Sequence, residues 1–241
     1  MELSKKTILI VAPHPDDEVI ACGGTIVKKI AEGYTVKIVF VTDGSHSHSA
    51  VLHIEDDPSP SVLKKIRRDE GISAARVLGV DTESVYFLDA EDTKVNENLS
   101  QVRDGITKIL KSCLNLIEVY IPHEQRELNN DHKLSGQVTL QCLKSMGIKP
   151  LVFKYIVWDE DTEIEFGFVN RGSSDGHQNF SDEQVVLVDI RNELQTKIDA
   201  LMQHKTQVTM YSASQTRTVV PDGFFRRVID KPEERFFVHS N

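Results

Sequence analysis

A chain of 241 residues with 28 basic against 37 acidic side chains, a net charge of −9, lacks the cationic footprint that nucleic acid or an anionic membrane surface requires. That length accommodates one α/β domain over residues 1–241, with a sizeable core and little room for a second domain. Cys22, Cys113 and Cys142 are odd in number, widely spaced and without a C-x-x-C pair, so they indicate neither a disulfide framework nor a zinc–thiolate site. Reduced thiols, the absence of a signal-peptide core and the lack of any apolar run of membrane-spanning length lead to the expectation of a cytoplasmic protein.

Thr7 to Val11 is β-branched and aliphatic throughout, the pattern of a parallel strand covered on both faces. Pro13 and Pro15 end the strand and stiffen the turn. His14, Asp16, Asp17 and Glu18 follow, and Gly23 and Gly24 lead into an apolar-periodic helix expected over Thr25 to Ala31. Three carboxylates and an imidazole are costly to hold together unless a cation sits among them. With two residues between them, His14 and Asp17 can aim a ring nitrogen and a carboxylate oxygen at one point, while Asp16 points elsewhere. Mixed nitrogen and oxygen donors with an open position suit catalytic zinc. The plainer reading is an acidic helix N-cap.

The run Pro13-His14-Pro15-Asp16-Asp17-Glu18, followed by Gly23-Gly24-Thr25-Ile26, closely resembles the signature of the LmbE-like, or PIG-L-like, family of zinc-dependent N-deacetylases. That family removes acetyl groups mostly from N-acetylglucosamine-type sugars and related conjugates. The resemblance implies His14 and Asp17 as zinc ligands and Asp16 as general base.

Thr35 to Thr42 reads as a second strand ending at Asp43-Gly44. Residues 45–60 lack periodicity and read as a loop, in which His46, His48 and His53 match no ligand spacing and are expected to be solvated. Ser61 to Gly79 is an amphipathic helix closed by its glycine. Arg67 and Glu70 on it match the family's RxxE, whose Arg is associated with substrate contact; the alternative is an ordinary surface pair. Val85 to Leu88 is a third strand ending in acids. The resemblance implies that Asp89 or Asp92 contacts sugar hydroxyls, and spacing does not separate them. Leu99 to Leu114 reads as a helix and Leu116 to Ile121 as a fourth strand.

A polar loop then leads to a helix expected over His132 to Met146. By resemblance the third ligand is His132, in an Asp-His pair, with Asp131 holding a ligand imidazole in its tautomer. Where many members carry a histidine three positions earlier, this chain has Asn129. An amide donates a hydrogen bond to an oxyanion but supplies no proton, so Asp16 would serve as base and then as acid. His123 reads as a solvated loop residue. Leu151 to Trp158 and Val185 to Ile190 look like strands, Glu160 to Ser181 like a polar connection, and Asn192 to Val208 like a helix. Lys197, His204 and Gln207 resemble a late K..A...H.SQ pattern of the family, with His204 either facing the site or packing. Glu234 and Phe236 echo a family E-x-F.

Alternating strands and helices imply a Rossmann-like, doubly wound, mainly parallel sheet flanked by helices, with strand order 3-2-1-4-5 as the family fold implies. Every candidate residue then follows the carboxyl end of a strand, where such sheets bind ligands. Gly23-Gly24 lacks the G-x-G-x-x-G spacing, and an acidic rim would repel phosphates. The expected activity is hydrolysis of an N-acetylated amino sugar or sugar conjugate by zinc-activated water. An amidase acting on a non-sugar or thiol-conjugate amide, and a non-catalytic metal- or sugar-binding protein, are the alternatives. The donor set also accepts other divalent metals, and the sequence leaves a homo-oligomer open.

Overall fold

In the computed structural model, which describes residues 5–158 and 183–239, the strand Thr7–Ala12 (β1) lies fully buried in the interior of a seven-stranded sheet. Its alternating side chains feed two cores. Ile8, Ile10 and Ala12 join one with Val19, Phe40 and Leu201, while Leu9 and Val11 join the other with Val102, Ile106 and Val138. A strand apolar on both faces is what two layers of helices require.

β1 pairs in parallel with Thr35–Thr42 (β2) on one side and with Leu116–Pro122 (β4) on the other. Val85–Ala90 (β3) and Leu151–Tyr155 (β5) extend the parallel sheet outward. Glu183–Asp189 (β6) and Glu233–His239 (β7) add an antiparallel pair, completing the order β3-β2-β1-β4-β5-β7-β6. The five parallel strands carry the expected order, and the winding reverses between β1 and β4.

Among the described residues the α-helices are Asp17–Ala31 (α1), Pro60–Val77 (α2), Leu99–Ser112 (α3), Asn130–Met146 (α4), Leu194–Leu201 (α5), the single turn Lys205–Val208 (α6) and Asp222–Asp230 (α7). α1 starts at Asp17 rather than Thr25, so the acidic motif occupies its first turn, where the helix dipole favours negative charge. Gly23 and Gly24 lie inside the helix despite a propensity cost of roughly 1 kcal/mol each. Close packing accounts for them: a Cβ on Gly24 would come within 2.6 Å of Ile190, and one on Gly23 within 3.0 Å of Lys197.

The helix expected over Asn192 to Val208 is two pieces, with His204 at the break. The run Gly223 to Val238 divides into α7 and β7. Residues 45–60 include a π-helical turn, His48–Leu52. The polar stretch Glu160 to Ser181 falls outside the described residues. Among the described residues no helix is long and apolar enough to cross a membrane.

One buried ion pair ties the ends of the chain together. Glu234 accepts hydrogen bonds from the backbone N–H groups of Gly24 and Thr25 at 2.9 and 2.8 Å and from Lys197 Nζ at 2.7 Å. Lys197 Nζ also donates to the Ile20 carbonyl at 2.9 Å. The late family-like Lys and Glu thus anchor α1 from α5 and β7.

Candidate metal centre

The turn after β1 is pinned by Thr42, whose N–H and hydroxyl both donate to the Pro13 carbonyl at 2.9 Å. This holds His14 beyond the sheet edge. Asp17 follows in the first turn of α1. Across the switch point, Asn129 caps α4 with Oδ1, accepting from Asp131 N–H at 2.8 Å and His132 N–H at 3.4 Å. The cap sets His132 in the first turn of α4, opposite His14.

Three donor atoms converge there. His14 Nδ1 lies 3.3 Å from Asp17 Oδ2 and 3.2 Å from His132 Nε2, and His132 Nε2 lies 3.2 Å from Asp17 Oδ2. Zinc–nitrogen and zinc–oxygen bonds of about 2.0–2.1 Å in a tetrahedron give an edge of roughly 3.3–3.4 Å. The triangle therefore has the size a divalent ion of this kind needs, and the residues fit one.

The far sides of both imidazoles face carboxylates. His14 Nε2 lies 3.2 Å from Asp92 Oδ1 and 3.5 Å from Asp131 Oδ2. His132 Nδ1 lies 3.2 Å from Glu127 Oε1, and Glu127 also accepts from the N–H groups of Val157 and Trp158. Partners of this kind hold a proton on the outward nitrogen and leave the inward one free for a metal. Burial opposes protonation of His132, but the charges of Asp17 and Glu127 outweigh it and raise its pKa to about 10. Burial likewise opposes a charge on His14, yet Asp92, Asp131 and Asp17 pull it well above the usual imidazole value. Against the burial of their own carboxyls, Asp92 is held down to about 2 by His14, and Asp17 is lowered by both histidines.

Asp16 stands apart from the triangle. Its backbone adopts φ 142°, a region that L residues rarely enter, and its N–H donates to Glu18 Oε2 at 2.9 Å. Its Oδ1 lies 3.2 Å from Arg67 Nη2. Burial pushes the Asp16 carboxyl up to about 6, against the pull of the Arg67 guanidinium. Asp16 shares with His14 and Asp17 an open cleft. Arg67, Asp92 and Asn129 also line it, and Ile20, Val51, Leu128, Trp158 and Val219 form an apolar wall.

Other predicted residues part company here. Asp92 is buried against His14, whereas Asp89 is half-exposed on Arg68 and Lys64 and does not line the cleft. Arg67 is not a surface residue: it is buried and donates to the carbonyls of Gly44 and Pro15. Glu70, also buried, accepts from the N–H and hydroxyl of Thr206 and anchors α6. His48, expected to be solvated, is buried against the Thr206 carbonyl, and His46 lines the cleft; His53 is exposed. His123 is likewise buried, paired with Glu183 at 2.9 Å. The loop looked polar, but its histidine turns back onto the sheet. His204 meets Glu18, not the cleft. Glu127 and Glu18 stood inside the two motifs without an assigned role; Glu18 follows Asp17 directly and Glu127 lies five positions before His132.

A family described as PIG-L, GlcNAc-PI de-N-acetylase, matches residues 9–143, which include His14, Asp16, Asp17 and His132. The diacetylchitobiose deacetylase of Thermococcus kodakarensis is 28% identical over 143 residues, covering 59% of this chain and 51% of that protein. The 4-oxalmesaconate hydratase of Pseudomonas putida is 33% identical over 157 residues, 62% of this chain and 57% of that one. The chain thus spans little more than half the length of these curated relatives. A solved structure of N,N'-diacetylchitobiose deacetylase from Pyrococcus horikoshii superposes with a TM-score of 0.63 at 26% identity, over 93% of this chain and 74% of the other.

Proposed function

The chain belongs to the PIG-L, GlcNAc-PI de-N-acetylase, family, whose match takes in more than half of it, and from that membership we propose a metal-dependent hydrolase that removes an acetyl group from an N-acetylated amino sugar or sugar conjugate. One observation carries the reading. Of three donor atoms spaced for a tetrahedral ion, two belong to residues, His14 and Asp17, that line a cleft together with a fourth group, the Asp16 carboxylate, that is not needed to hold the ion. We take His14, Asp17 and His132 as the ligands and zinc as the metal, with iron, cobalt or manganese chemically admissible. We also take residues 1–241 as one domain. A cytoplasmic location is part of the proposal, supported by three cysteines that are all free.

A bound ion at these ligands would supply Lewis-acid polarisation of the amide carbonyl and activation of water. The chain supplies the rest. Asp16 takes a proton from the attacking water and returns it to the departing nitrogen. The Arg67 guanidinium and the positive charge of the ion itself both favour ionised Asp16, which a base requires. Asn129 has its carbonyl oxygen committed to the α4 cap, so its amide N–H groups are the ones left to donate to an oxyanion in the cleft. Asp92, Asp131 and Glu127 keep the two imidazoles turned so that their free nitrogens face the metal.

The hydratase relative raises a second reaction class for the same machinery. Among the described residues the cleft is lined by three carboxylates, Asp16, Asp17 and Asp92, and one guanidinium, Arg67, which already serves Asp16, Pro15 and Gly44. That lining suits a neutral acetamide better than an anionic carboxylate substrate. The test is acetate release from a panel of N-acetylated amino sugars and their conjugates by zinc-replete protein, beside Asp16→Ala. Release that vanishes in the variant supports the reading; no release from any member, with zinc bound, overturns it.

A further inference from the structure

Asp16 holds a backbone conformation that a non-glycine residue keeps only when its surroundings impose it. Two contacts do so. Arg67 grips the Pro15 carbonyl and the Asp16 carboxylate from α2. From the other side, Glu18 Oε2 takes the Asp16 N–H at 2.9 Å, and Glu18 Oε1 meets His204 Nε2 at 2.9 Å. Glu18 and His204 are both fully buried, and neither lines the cleft.

A fold that needed only packing at this place would gain as much from two apolar side chains, since burying an ionisable pair costs desolvation that the contact at best repays. The pair has a geometric output instead. His204 sits where α5 breaks before α6, and the break turns its ring toward α1. It lies outside the residues that the family match covers, which end at 143.

We propose that His204, acting through Glu18, is a positioning residue that clamps the Asp16 peptide in its left-handed conformation and so aims the base into the cleft. His204 donates Nε2–H to Glu18 Oε1; this orients the carboxylate and leaves Oε2 to accept the Asp16 N–H. Without the imidazole, Glu18 loses its fixed rotamer and Asp16 relaxes toward an unstrained conformation, in which its carboxylate leaves Arg67. The inference rests on the reading of Asp16 as the general base, and the test separates the two.

His204→Leu removes the donor at similar bulk, His204→Gln keeps a donor at nearly the same reach, and His204→Asn is a polar side chain too short to reach Glu18. On zinc-loaded protein, Leu and Asn lower kcat by roughly 5- to 150-fold, the range that releasing the strain of one such residue corresponds to. KM and zinc stoichiometry stay unchanged, and Gln recovers most of the loss. In an Asp16→Ala background the same substitutions cost nothing further. Wild-type kcat in the Leu and Asn variants, or an undiminished loss in that background, overturns the proposal. A crystal structure of metal-free His204→Asn decides it even if no acetamide is turned over and the deacetylase reading fails. Asp16 released from positive φ upholds the clamp; Asp16 unmoved, with its N–H still on Glu18, overturns it.

Discussion

Replacing Asp92 by Asn tests whether the carboxylates behind the ligands tune the metal site. His14 faces the donor triangle through Nδ1, so its other nitrogen carries the proton and meets Asp92 Oδ1 at 3.2 Å. Asp131 is the more distant partner, 3.5 Å from His14, and its two oxygens also accept from Thr93 and Val95 N–H groups at 2.7 and 3.2 Å. Asp92 is buried and uses its second oxygen on the His46 N–H at 2.9 Å. An Asn there has a single oxygen for two donors, so one N–H, of His46 or of His14, faces an amide NH₂, and the negative charge is gone. Loss of such a partner typically weakens metal binding about 10- to 100-fold, or roughly 1.4–2.7 kcal/mol. Competition against a chromophoric chelator at fixed pH reads the shift directly. Asp89→Asn is the control, because Asp89 is half-exposed on Arg68 and Lys64 outside the cleft. Its zinc affinity stays at the wild-type value. Wild-type affinity in Asp92→Asn, or an equal loss in Asp89→Asn, refutes the reasoning.

The pKa values of His14 and His132 lie above the unperturbed value in the absence of metal, so both rings carry protons at neutral pH that a metal must displace. Zinc binding at pH 7 therefore releases roughly two protons, and affinity rises with pH until the rings deprotonate on their own; calorimetry in buffers of different ionisation enthalpy counts them, and zero release rules out the ligand assignment. Asp16→Asn retains zinc by elemental analysis and loses turnover by about 10²–10⁴-fold, and a metal-replete variant with normal turnover removes Asp16 from the base role. Asn129→Ser keeps an oxygen to cap α4 and deletes the amide donor, so thermal stability holds to within ~0.5 kcal/mol while kcat falls on the order of 10²–10³-fold; a parallel loss of stability and kcat would assign Asn129 to the cap alone. Glu234→Ala leaves Lys197, 3% exposed, without its counter-charge, costing about 3–5 kcal/mol, or a melting point lower by roughly 6–20 °C. A drop of under ~3 °C in a melting scan contradicts that account.

Local pattern carried most of the architecture. An apolar run buried on both faces and the alternation of strand and helix were enough for β1 and for a parallel, doubly wound sheet, because side-chain period and turn chemistry act over a few positions. The order of the five parallel strands, and His132 as the group that joins His14 and Asp17, came from the family resemblance, which the packing of β1 against β4 bears out for the order. α1 starts earlier than its local pattern indicates, because Gly23 and Gly24 weaken a helix locally while the side chains packed against them, Lys197 and Ile190, lie far along the chain. Asp89 and Asp92 could not be told apart by spacing. The β3 exit decides between them by turning Asp92 inward against His14 and leaving Asp89 to Arg68. Glu18 needed a partner 186 residues away before its place beside Asp16 had any meaning. A sequence displays which groups are present and how its nearest neighbours repeat. Which buried carboxylate meets which imidazole is a matter of how distant elements pack, and in a low-dielectric interior that pairing sets the charge, tautomer and aim of the whole centre.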